Sequence, residues 1–228
     1  MIDITMTASS RPKLIEKVFI SLKKYMPIIE FRLIINIAKA GIGCNQYDVL
    51  DVVKRYFSNF IVRVQYDSNQ TDGLFWAWKN AQSRLVFNWE DDWELLQHID
   101  LKKLSSYFDR YSTLASILLA REDKSNEGFS SNLLDNNLYE RHGYIAGPPA
   151  LIRYQFIREA LCYMKADEHW NQTIKWPRVK ELLHRWKFGV YVPDNLACVR
   201  DLGTVWKQEN GIKSGRTIKE GTIWLMKT

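Results

Sequence analysis

Two kinds of hydrophobic pattern alternate along the first part of this chain, and the alternation limits the folds that it can adopt. Residues 3–7, 31–37, 61–66 and 85–88 form short β-branched or continuously apolar runs, which are typical of strands. Between them, residues 14–22, 47–57 and 73–81 repeat apolar side chains at helical spacing. Strands that alternate with helices predict an α/β fold with a mainly parallel, Rossmann-like central sheet. Ligands of such sheets bind beyond the carboxyl ends of the strands, so we expect the functional residues there.

The second part of the chain continues the same pattern with weaker signals. Helices are predicted over residues 101–111, 152–164 and 179–186, and strands over residues 114–119, 190–192 and 197–199. Residues 124–137 are rich in Ser, Asn, Asp and Glu, which predicts a long loop of the kind that often serves as a lid. No internal repeat or linker is visible, so we predict a single domain over residues 1–228.

The composition places the chain among ordinary globular proteins, with 46% hydrophobic and 25% charged residues. Its apolar stretches are too short to span a bilayer, and its first residues lack the pattern of a signal peptide, so we expect a soluble, cytoplasmic protein. Cys44, Cys162 and Cys198 are far apart, without the spacing of a zinc site or a disulfide framework. The net charge of +6 predicts attraction to polyanions, although a pocket for nucleotide phosphates would use several of those cations.

Three adjacent carboxylates, Glu90, Asp91 and Asp92, directly follow the fourth predicted strand and lie between Trp89 and Trp93. Hard divalent ions take oxygen ligands, and Mg²⁺ is usually held by one or two carboxylates together with the phosphates of a substrate. The acidic run therefore indicates phosphate chemistry. An alternative is that Asp91 and Asp92 cap a helix running through residues 95–99, since carboxylates stabilise the positive end of a helix.

These features together resemble a known family. Thr7 in the first strand, the turn Ser10-Arg11-Pro12, the helix that begins at Gly73 and the segment Glu90-Asp91-Asp92-Trp93 resemble the nucleotide-sugar half of a GT-A fold glycosyltransferase of the family 2 type. The resemblance covers about the first hundred residues well and the rest only by position. It implies that residues 1–100 bind the nucleotide sugar and that residues 101–228 form the acceptor half with a C-terminal closing tail.

The resemblance also implies site residues. The acidic run corresponds to the DXD motif, in which Asp92 coordinates Mn²⁺ or Mg²⁺ and Glu90 or Asp91 lies towards the ribose or a metal-bound water; Glu90 is assigned to the metal site together with Asp92. The third metal ligand is Asp201 or a water molecule. Residues implied to contact the nucleotide sugar are Thr7, Ala8, Ser10, Arg11, Asn36, Asp67, Gly73, Asn80, Asp91, Lys213 and Arg216.

Several of these assignments have alternatives. Arg11 either contacts the diphosphate or the base, or is a surface cation at a helix start. Asn36 stands where the family usually has an aspartate, so either its amide or Asp67 contacts the nucleoside, and the base of the nucleotide stays open. Lys213 and Arg216 belong to a basic tail that either closes over the diphosphate or is merely solvated.

Asp167 and Glu168 match the carboxylate pair with which family members begin a helix on the acceptor side. A hydroxyl that attacks a sugar must lose its proton, and a carboxylate within hydrogen-bond reach can accept it. We predict Asp167 as the general base, with Glu168 as the second choice. The alternative is a helix cap.

The function implied by the resemblance is metal-dependent transfer of a sugar from a nucleotide donor, UDP-linked by family default, to a hydroxyl acceptor. The acceptor is a saccharide or lipid-linked glycan, or a hydroxymethylated base in double-stranded DNA, as in virus-encoded modification of genomes. A non-catalytic nucleotide-binding module and a nucleotidyltransferase are alternatives from other classes. Residues 8–12 contain no glycine, which argues against the phosphate loop of a nucleotidyltransferase.

Overall fold

The structure is a computed structural model that describes residues 1–27, 30–40, 44–66, 69–122, 129–141, 149–165, 176–218 and 221–226. Its strands are β1 (Ile2–Ala8), β2 (Phe31–Ala38), β3 (Phe60–Gln65), β4 (Leu85–Glu90), β5 (Trp93–Leu95), β6 (Leu114–Leu119), β7 (Phe129–Asp135), β8 (Leu138–Arg141), β9 (Ala150–Arg153), β10 (Lys187–Tyr191), β11 (Val199–Asp201), β12 (Ile212–Ile218) and β13 (Gly221–Met226). The helices are α1 (Pro12–Tyr25), α2 (Gln46–Tyr56), α3 (Gln70–Asn80), α4 (Leu101–Arg110), α5 (Tyr154–Leu161), α6 (Pro177–Arg185) and α7 (Leu202–Glu209).

A nine-stranded sheet with the order β3-β2-β1-β4-β9-β6-β10-β8-β7 forms the centre of the described structure. Only β8 and β9 run opposite to the other strands of this sheet. The predicted α/β fold with a mainly parallel sheet and flanking helices is therefore confirmed. Two small sheets accompany it, one of β5 and β11 and one of β12 and β13.

Each face of the central sheet is covered by its own hydrophobic cluster. Along β2, Leu33 and Ile35 pack into a cluster with α1, α2 and α4, whereas Ile34 packs into a second cluster with α3, α5 and α6. Successive side chains of a strand point to opposite faces, so the continuous apolar run of β2 is explained by burial on both sides. Capping also matches the sequence: Pro12 occupies the first turn of α1, and Asn45 forms a capping box with Asp48 at α2.

Two predictions of secondary structure, and one alternative that the sequence left open, were wrong. The loop predicted over residues 124–137 instead contains β7, which pairs with β8 around a two-residue turn where Asn137 adopts a φ of 70°. Asparagine tolerates the left-handed region and therefore permits this tight hairpin. The helix predicted over residues 152–164 begins only at Tyr154, because Ala150–Arg153 forms β9; a short apolar run cannot be assigned to helix or strand by periodicity alone.

The third correction concerns the carboxylates. No helix starts at Asp91 and Asp92, because the chain turns there and continues as β5, which pairs with β11. The backbone of the basic C-terminal tail is also more regular than predicted, since it forms α7 and the β12–β13 hairpin. Within the described ranges, no helix is long and apolar enough to cross a membrane.

Candidate active site

The carboxyl ends of β1, β2 and β4 meet at one edge of the sheet, as the sequence predicted. Thr7 lies opposite Asn36 on β2 and opposite Glu90 on β4, and the next residue, Ala8, is buried. The register of the sheet therefore brings the polar ends of three separate chain segments together.

An ion-paired cluster occupies this edge just beyond β4. The Nη2 atom of Arg11 lies 2.6 Å from Asp91 Oδ1 and 3.1 Å from Asp92 Oδ2, and Arg11 Nε donates to Asp91 Oδ2 at 3.3 Å. We call Asp91 and Asp92 the acid pair. The side chains of Arg11 and Asp91 are 4% and 5% exposed, whereas that of Asp92 is 20% exposed. Asp92 is thus the member of the acid pair that a ligand can reach.

The turn after β1 fixes Arg11 in this position. The backbone N–H of Ser9 donates to Asp91 Oδ2 at 2.8 Å, and Ser10 binds the end of β2 through its N–H to Ala40 O and its hydroxyl to Ala38 O. Burial lowers the pKa of Arg11, but the charges of Asp91 and Asp92 raise it by more, so the guanidinium stays charged. The interpretation of Arg11 as a surface cation is therefore wrong.

Helix α7 approaches the acid pair from the other side. Asp201 caps the helix by accepting from the N–H groups of Gly203 and Thr204, and the N–H of Leu202 donates to the backbone carbonyl of Asp92 at 2.8 Å. The Arg11 guanidinium lies 5.3 Å from the ring of Trp206 in the same helix. Sequence reasoning missed this helix, although an aspartate before an apolar turn is a recognisable start signal.

Gly203 marks the closest approach of α7 to the acids. A Cβ atom at this position would lie 2.4 Å from Asp92 Oδ2 and 3.1 Å from Asp201 Oδ1. The carboxylates of Asp92 and Asp201 therefore both come close to one point beside Gly203. The antiparallel pairing of Asp201 with Trp93 across β11 and β5 sets this arrangement.

Glu90 has a different environment. Its Oε1 accepts from Gln70 at 2.9 Å and its Oε2 from the indole N–H of Trp93 at 3.4 Å. Burial raises the pKa of Glu90 to about 8, with further contributions from Asp92 and Asp91. Burial also raises the pKa of Asp92 to about 6, although Arg11 opposes the shift. Near neutral pH, Asp92 is therefore better prepared than Glu90 to bind a cation.

A divalent cation fits this edge of the sheet only if substrate phosphates supply some of its ligands. Within the ranges that the structure describes, no group of three or more His, Cys, Asp and Glu side chains is arranged to hold a metal ion. Asp92 and Asp201 nevertheless supply two carboxylates beside one point. One or two carboxylates plus substrate phosphates are the usual ligands of Mg²⁺, so the residues present fit such an ion bound together with a diphosphate.

A second polar cluster lies at the ends of β2 and β3. Asn36 donates to Gln65 at 2.7 Å and accepts from Arg63 at 2.5 Å, and Arg63 also contacts Asp72 at 2.8 Å. The Arg63 guanidinium lies 5.1 Å from the ring of Trp76. We call Asn36, Arg63, Gln65 and Asp72 the amide cluster. Sequence reasoning found only Asn36, because the alignment of β2 with β3 brings Arg63 and Gln65 beside it, and Asp72 joins them from the first turn of α3.

The remaining predicted site residues differ in where they lie. Gly73 packs against Asn36 and Thr7, where a Cβ would approach Asn36 Nδ2 to 2.5 Å, so this glycine lets α3 pack closely on β1 and β2. Asn80 lies at the other end of α3, about 15 Å along the helix from Gln70, and its amide donates to Trp76 O. The structure thus does not bring Asn80 to the acid pair. Three predicted residues lie outside the described residues: Asp67, Asp167 and Glu168. Two others, Lys213 and Arg216, lie on β12, and only their backbone is described.

Comparisons with known proteins gave structural matches only. No protein-family model and no curated protein sequence matched the chain. TarS residues 1–349 from S. aureus, solved in complex with UDP-GlcNAc, is 11% identical and matches with a TM-score of 0.57 over 88% of this chain and 58% of its own. The mannosyltransferase PcManGT from Pyrobaculum calidifontis, in complex with GDP-Man and Mn²⁺, is 10% identical and matches with a TM-score of 0.58 over 87% of this chain and 56% of its own.

A third structural match, at similar sequence identity, is to an enzyme that is named as a synthetase. CMP:2-keto-3-deoxy-manno-octonic acid synthetase, complexed with CTP, is 10% identical and matches with a TM-score of 0.51 over 83% of this chain and 88% of its own. This chain spans less than two thirds of the length of TarS 1–349 and of PcManGT. The comparisons confirm the predicted GT-A type of fold. At these identities they show the fold alone, and the reaction must be argued from the site.

Proposed function

We propose that this chain is a metal-dependent glycosyltransferase that moves a sugar from a nucleotide-sugar donor to a hydroxyl acceptor. We propose that the sugar of the donor is linked to UDP. The observation that carries the proposal is the buried Arg11–Asp91–Asp92 cluster at the carboxyl end of β4, with Asp201 opposite Asp92. Support comes from the fold, which is also found in proteins solved with UDP-GlcNAc and with GDP-Man and Mn²⁺.

In this proposal the residues at the carboxyl ends of the strands have different chemical roles. Asp92 and Asp201 would hold a divalent ion, which would supply positive charge to stabilise a departing diphosphate. Asp91 keeps Arg11 charged and in place, so that the guanidinium adds positive potential beside the diphosphate. The amide cluster lies next to the same edge and presents amide and guanidinium groups to the nucleoside.

The general base is proposed from the sequence alone. Asp167, or Glu168 as second choice, accepts the proton of the acceptor hydroxyl as it attacks the sugar. Replacing Asp167 with Asn should abolish transfer to an acceptor while leaving UDP binding unchanged. If Asp167→Asn transfers normally and Glu168→Gln does not, the base is Glu168.

The acceptor is proposed to be a saccharide hydroxyl. A hydroxymethylated base in duplex DNA is the second candidate, and transfer to it should fall steeply as salt is raised. A flat salt response would leave the saccharide as the acceptor class.

Release of UDP from a panel of UDP-sugars with Mn²⁺ tests the proposal. Asp92→Asn should lower turnover at least about 100-fold, because metal stabilisation of a leaving group is worth several kcal/mol and each 1.4 kcal/mol is a factor of ten. Asp51→Asn on the exposed face of α2 is the matched control and should behave as the unmodified protein. Calorimetric binding of UDP with Mn²⁺ gives a second readout, in which Asp92→Asn should lose the metal-dependent part of the affinity. Equal turnover and equal binding in both variants would refute the metal assignment.

A further inference from the structure

A groove lies at the opposite ends of the strands from the acid pair. It has a volume of about 490 Å³ and is lined by Arg84, Arg153, Tyr154, Gln155, Arg158, Glu159 and Cys162. Arg84 directly precedes β4, and Arg153 pairs with Leu85 at the end of β9. This groove therefore belongs to a different surface from the proposed sugar-transfer site.

Among the described residues, only one of the three arginines that line the groove forms an ion pair with a carboxylate. Arg84 pairs with Asp109 at 2.6 Å, and both side chains are more than half exposed. The Arg153 guanidinium donates to the backbone carbonyls of Phe108, Tyr111 and Leu114, and burial together with the charge of Arg84 lowers its pKa. The structure thus holds like charges close together, an arrangement that a bound anion would stabilise.

The third arginine faces solvent. Arg158 is exposed, and among the described residues none forms an ion pair with its guanidinium. The one carboxylate of the groove, Glu159, is already engaged by Arg185 at 3.3 Å and by the indole N–H of Trp186 at 3.2 Å. The groove therefore presents an excess of positive charge.

The positive surface continues from the groove along α6. Arg178 and Arg185 are seven residues apart and share one face of the helix with a single exposed carboxylate, Glu181, while Val179 and Leu182 are buried against the sheet. This spacing corresponds to about 10 Å, or roughly three nucleotides along one strand of a duplex. The other exposed cations of this surface are Lys165, Lys180 and Lys187. We call the groove together with the exposed side of α5 and α6 the basic face.

The composition of the basic face favours one kind of polyanion. Peripheral binding to a membrane depends on apolar side chains that enter the lipid as well as on charge. The large hydrophobic residues that are exposed in the described structure are Met1, Ile20, Tyr47, Tyr66, Leu196 and Val205, and none of them belongs to α5 or α6. Binding to nucleic-acid backbones, in contrast, uses Arg and Lys contacts to phosphates and needs no apolar anchor.

We infer that the basic face binds the phosphodiester backbone of double-stranded nucleic acid, independently of base sequence. A duplex on this face is held away from the acid pair, so the face is an anchoring site and does not present an acceptor base. The inference does not depend on the proposed sugar transfer and can be tested without any nucleotide sugar.

Fluorescence anisotropy with a labelled DNA duplex of about 20 base pairs tests the inference between roughly 50 and 200 mM salt. The unmodified chain should bind, with a logarithm of affinity that falls linearly with the logarithm of the salt concentration. The double variant Arg158→Ala/Lys180→Ala should bind about tenfold or more weakly at low salt, and its salt slope should be smaller by about 2, one for each lost phosphate contact. Because both side chains are exposed, the fold and UDP release should be unaffected.

The charge-matched control is Lys17→Ala/Lys54→Ala, which removes two exposed cations from α1 and α2 on the other side of the sheet. It should retain duplex affinity within about twofold and the full salt slope. An equal loss in both double variants would show that only net charge matters and would overturn the inference, as would absence of duplex binding at low salt. Binding to phosphatidylserine vesicles that is tighter than duplex binding and is lost in Arg158→Ala/Lys180→Ala would assign the face to a membrane and also overturn it.

Discussion

At the scale of single residues, Asp3 is the most completely satisfied charge in the described structure outside the site. Its fully buried carboxylate accepts two hydrogen bonds from Arg32, both at 2.8 Å, and one each from the N–H groups of Gln82 and Ser83. Burial by itself raises the pKa of Asp3, but the bonds from Arg32, Gln82 and Ser83 together lower it below 3.8. Asp3 therefore stabilises the fold in its charged form.

Asp3→Asn should lower the free energy of unfolding by about 3–5 kcal/mol at neutral pH, because Arg32 loses its buried partner. A carboxyl group with a lowered pKa contributes stability above its unfolded pKa and loses that contribution as the pH falls through the folded pKa. The difference between Asp3→Asn and the unmodified chain should therefore shrink below about pH 3.8. Urea unfolding at several pH values measures this. Asp51→Asn, which alters an exposed pair, should show no such change.

Arg11 and Asp91 form a second buried pair, this time inside the site. Arg11→Met should destabilise the chain by about 3–5 kcal/mol, since Asp91 is then a buried carboxylate with only the Ser9 N–H as a partner. Adding Asp91→Asn to Arg11→Met should recover part of that loss, because the uncompensated charge is gone. Additive losses in the double variant, measured by urea unfolding, would contradict the pairing.

The same residues show what sequence reasoning can and cannot find. Glu90, Asp91 and Asp92 were found because three acids after an apolar strand are conspicuous in one dimension. Arg63 and Gln65 were missed because their contacts with Asn36 depend on how β2 and β3 align, and Asp72 was missed because it reaches Arg63 and Gln65 from the first turn of α3. Two readings of Arg11 were open in the sequence, and only its 5% exposure in the fold decides between them.

At the scale of elements, the close packing of α7 against Asp92 restricts the position of this helix. An alanine inside a helix is usually more favourable than a glycine by about 1 kcal/mol. At Gly203, however, a Cβ would lie 2.4 Å from Asp92 Oδ2, a distance that forces either the carboxylate or the helix to move. The helix thus requires glycine here for a steric reason.

Gly203→Ala should therefore destabilise the chain by about 1–3 kcal/mol, the usual cost of overpacking, and should weaken Mn²⁺-dependent UDP binding by displacing Asp92. Thermal unfolding and calorimetry measure the two effects. Val205→Ala, at an exposed position of the same helix, is the control and should leave UDP binding unchanged. A more stable Gly203→Ala variant with full affinity would show that α7 does not press on Asp92.

The elements that were mispredicted share a cause. β9 is four residues long and β7 carries mostly polar side chains, so neither has a periodicity strong enough to identify it. Both become strands because a neighbouring strand supplies backbone partners: β4 and β6 for β9, and β8 for β7. Longer elements with one clear apolar face, such as α1 and α4, were predicted within a few residues.

At the scale of the whole molecule, the sheet joins the two halves that the sequence suggested. β9 and α5 come from the second half, yet β9 pairs with β4, and Phe156 of α5 shares a hydrophobic cluster with Trp78 and Val86. We propose that the chain unfolds as one cooperative unit. The sequence predicted the parallel part of the fold, where each strand precedes its helix, whereas the order of the strands is known only from the structure.

A fragment of residues 1–100 should accordingly fail to fold by itself, since it retains β1 but lacks β9, the other strand that pairs with β4, and lacks the α5 side chains that pack with Trp78. We expect no cooperative urea transition and little near-ultraviolet circular dichroism, in contrast to the full chain. A sharp transition in the fragment would show that the first half is an independent domain.

The insertion of β9 beside β4 also affects the chain while it is being made. β4 ends at Glu90 and β9 begins at Ala150. At usual elongation rates a ribosome needs about 3 to 12 s to synthesise the segment between them, and during this time the edge of β4 that pairs with β9 has no partner. During that interval Val86 and Phe87 lie beside an open strand edge, the kind of surface that chaperones shield from aggregation. Slower translation over the intervening codons would lengthen that exposure, and faster translation would shorten it.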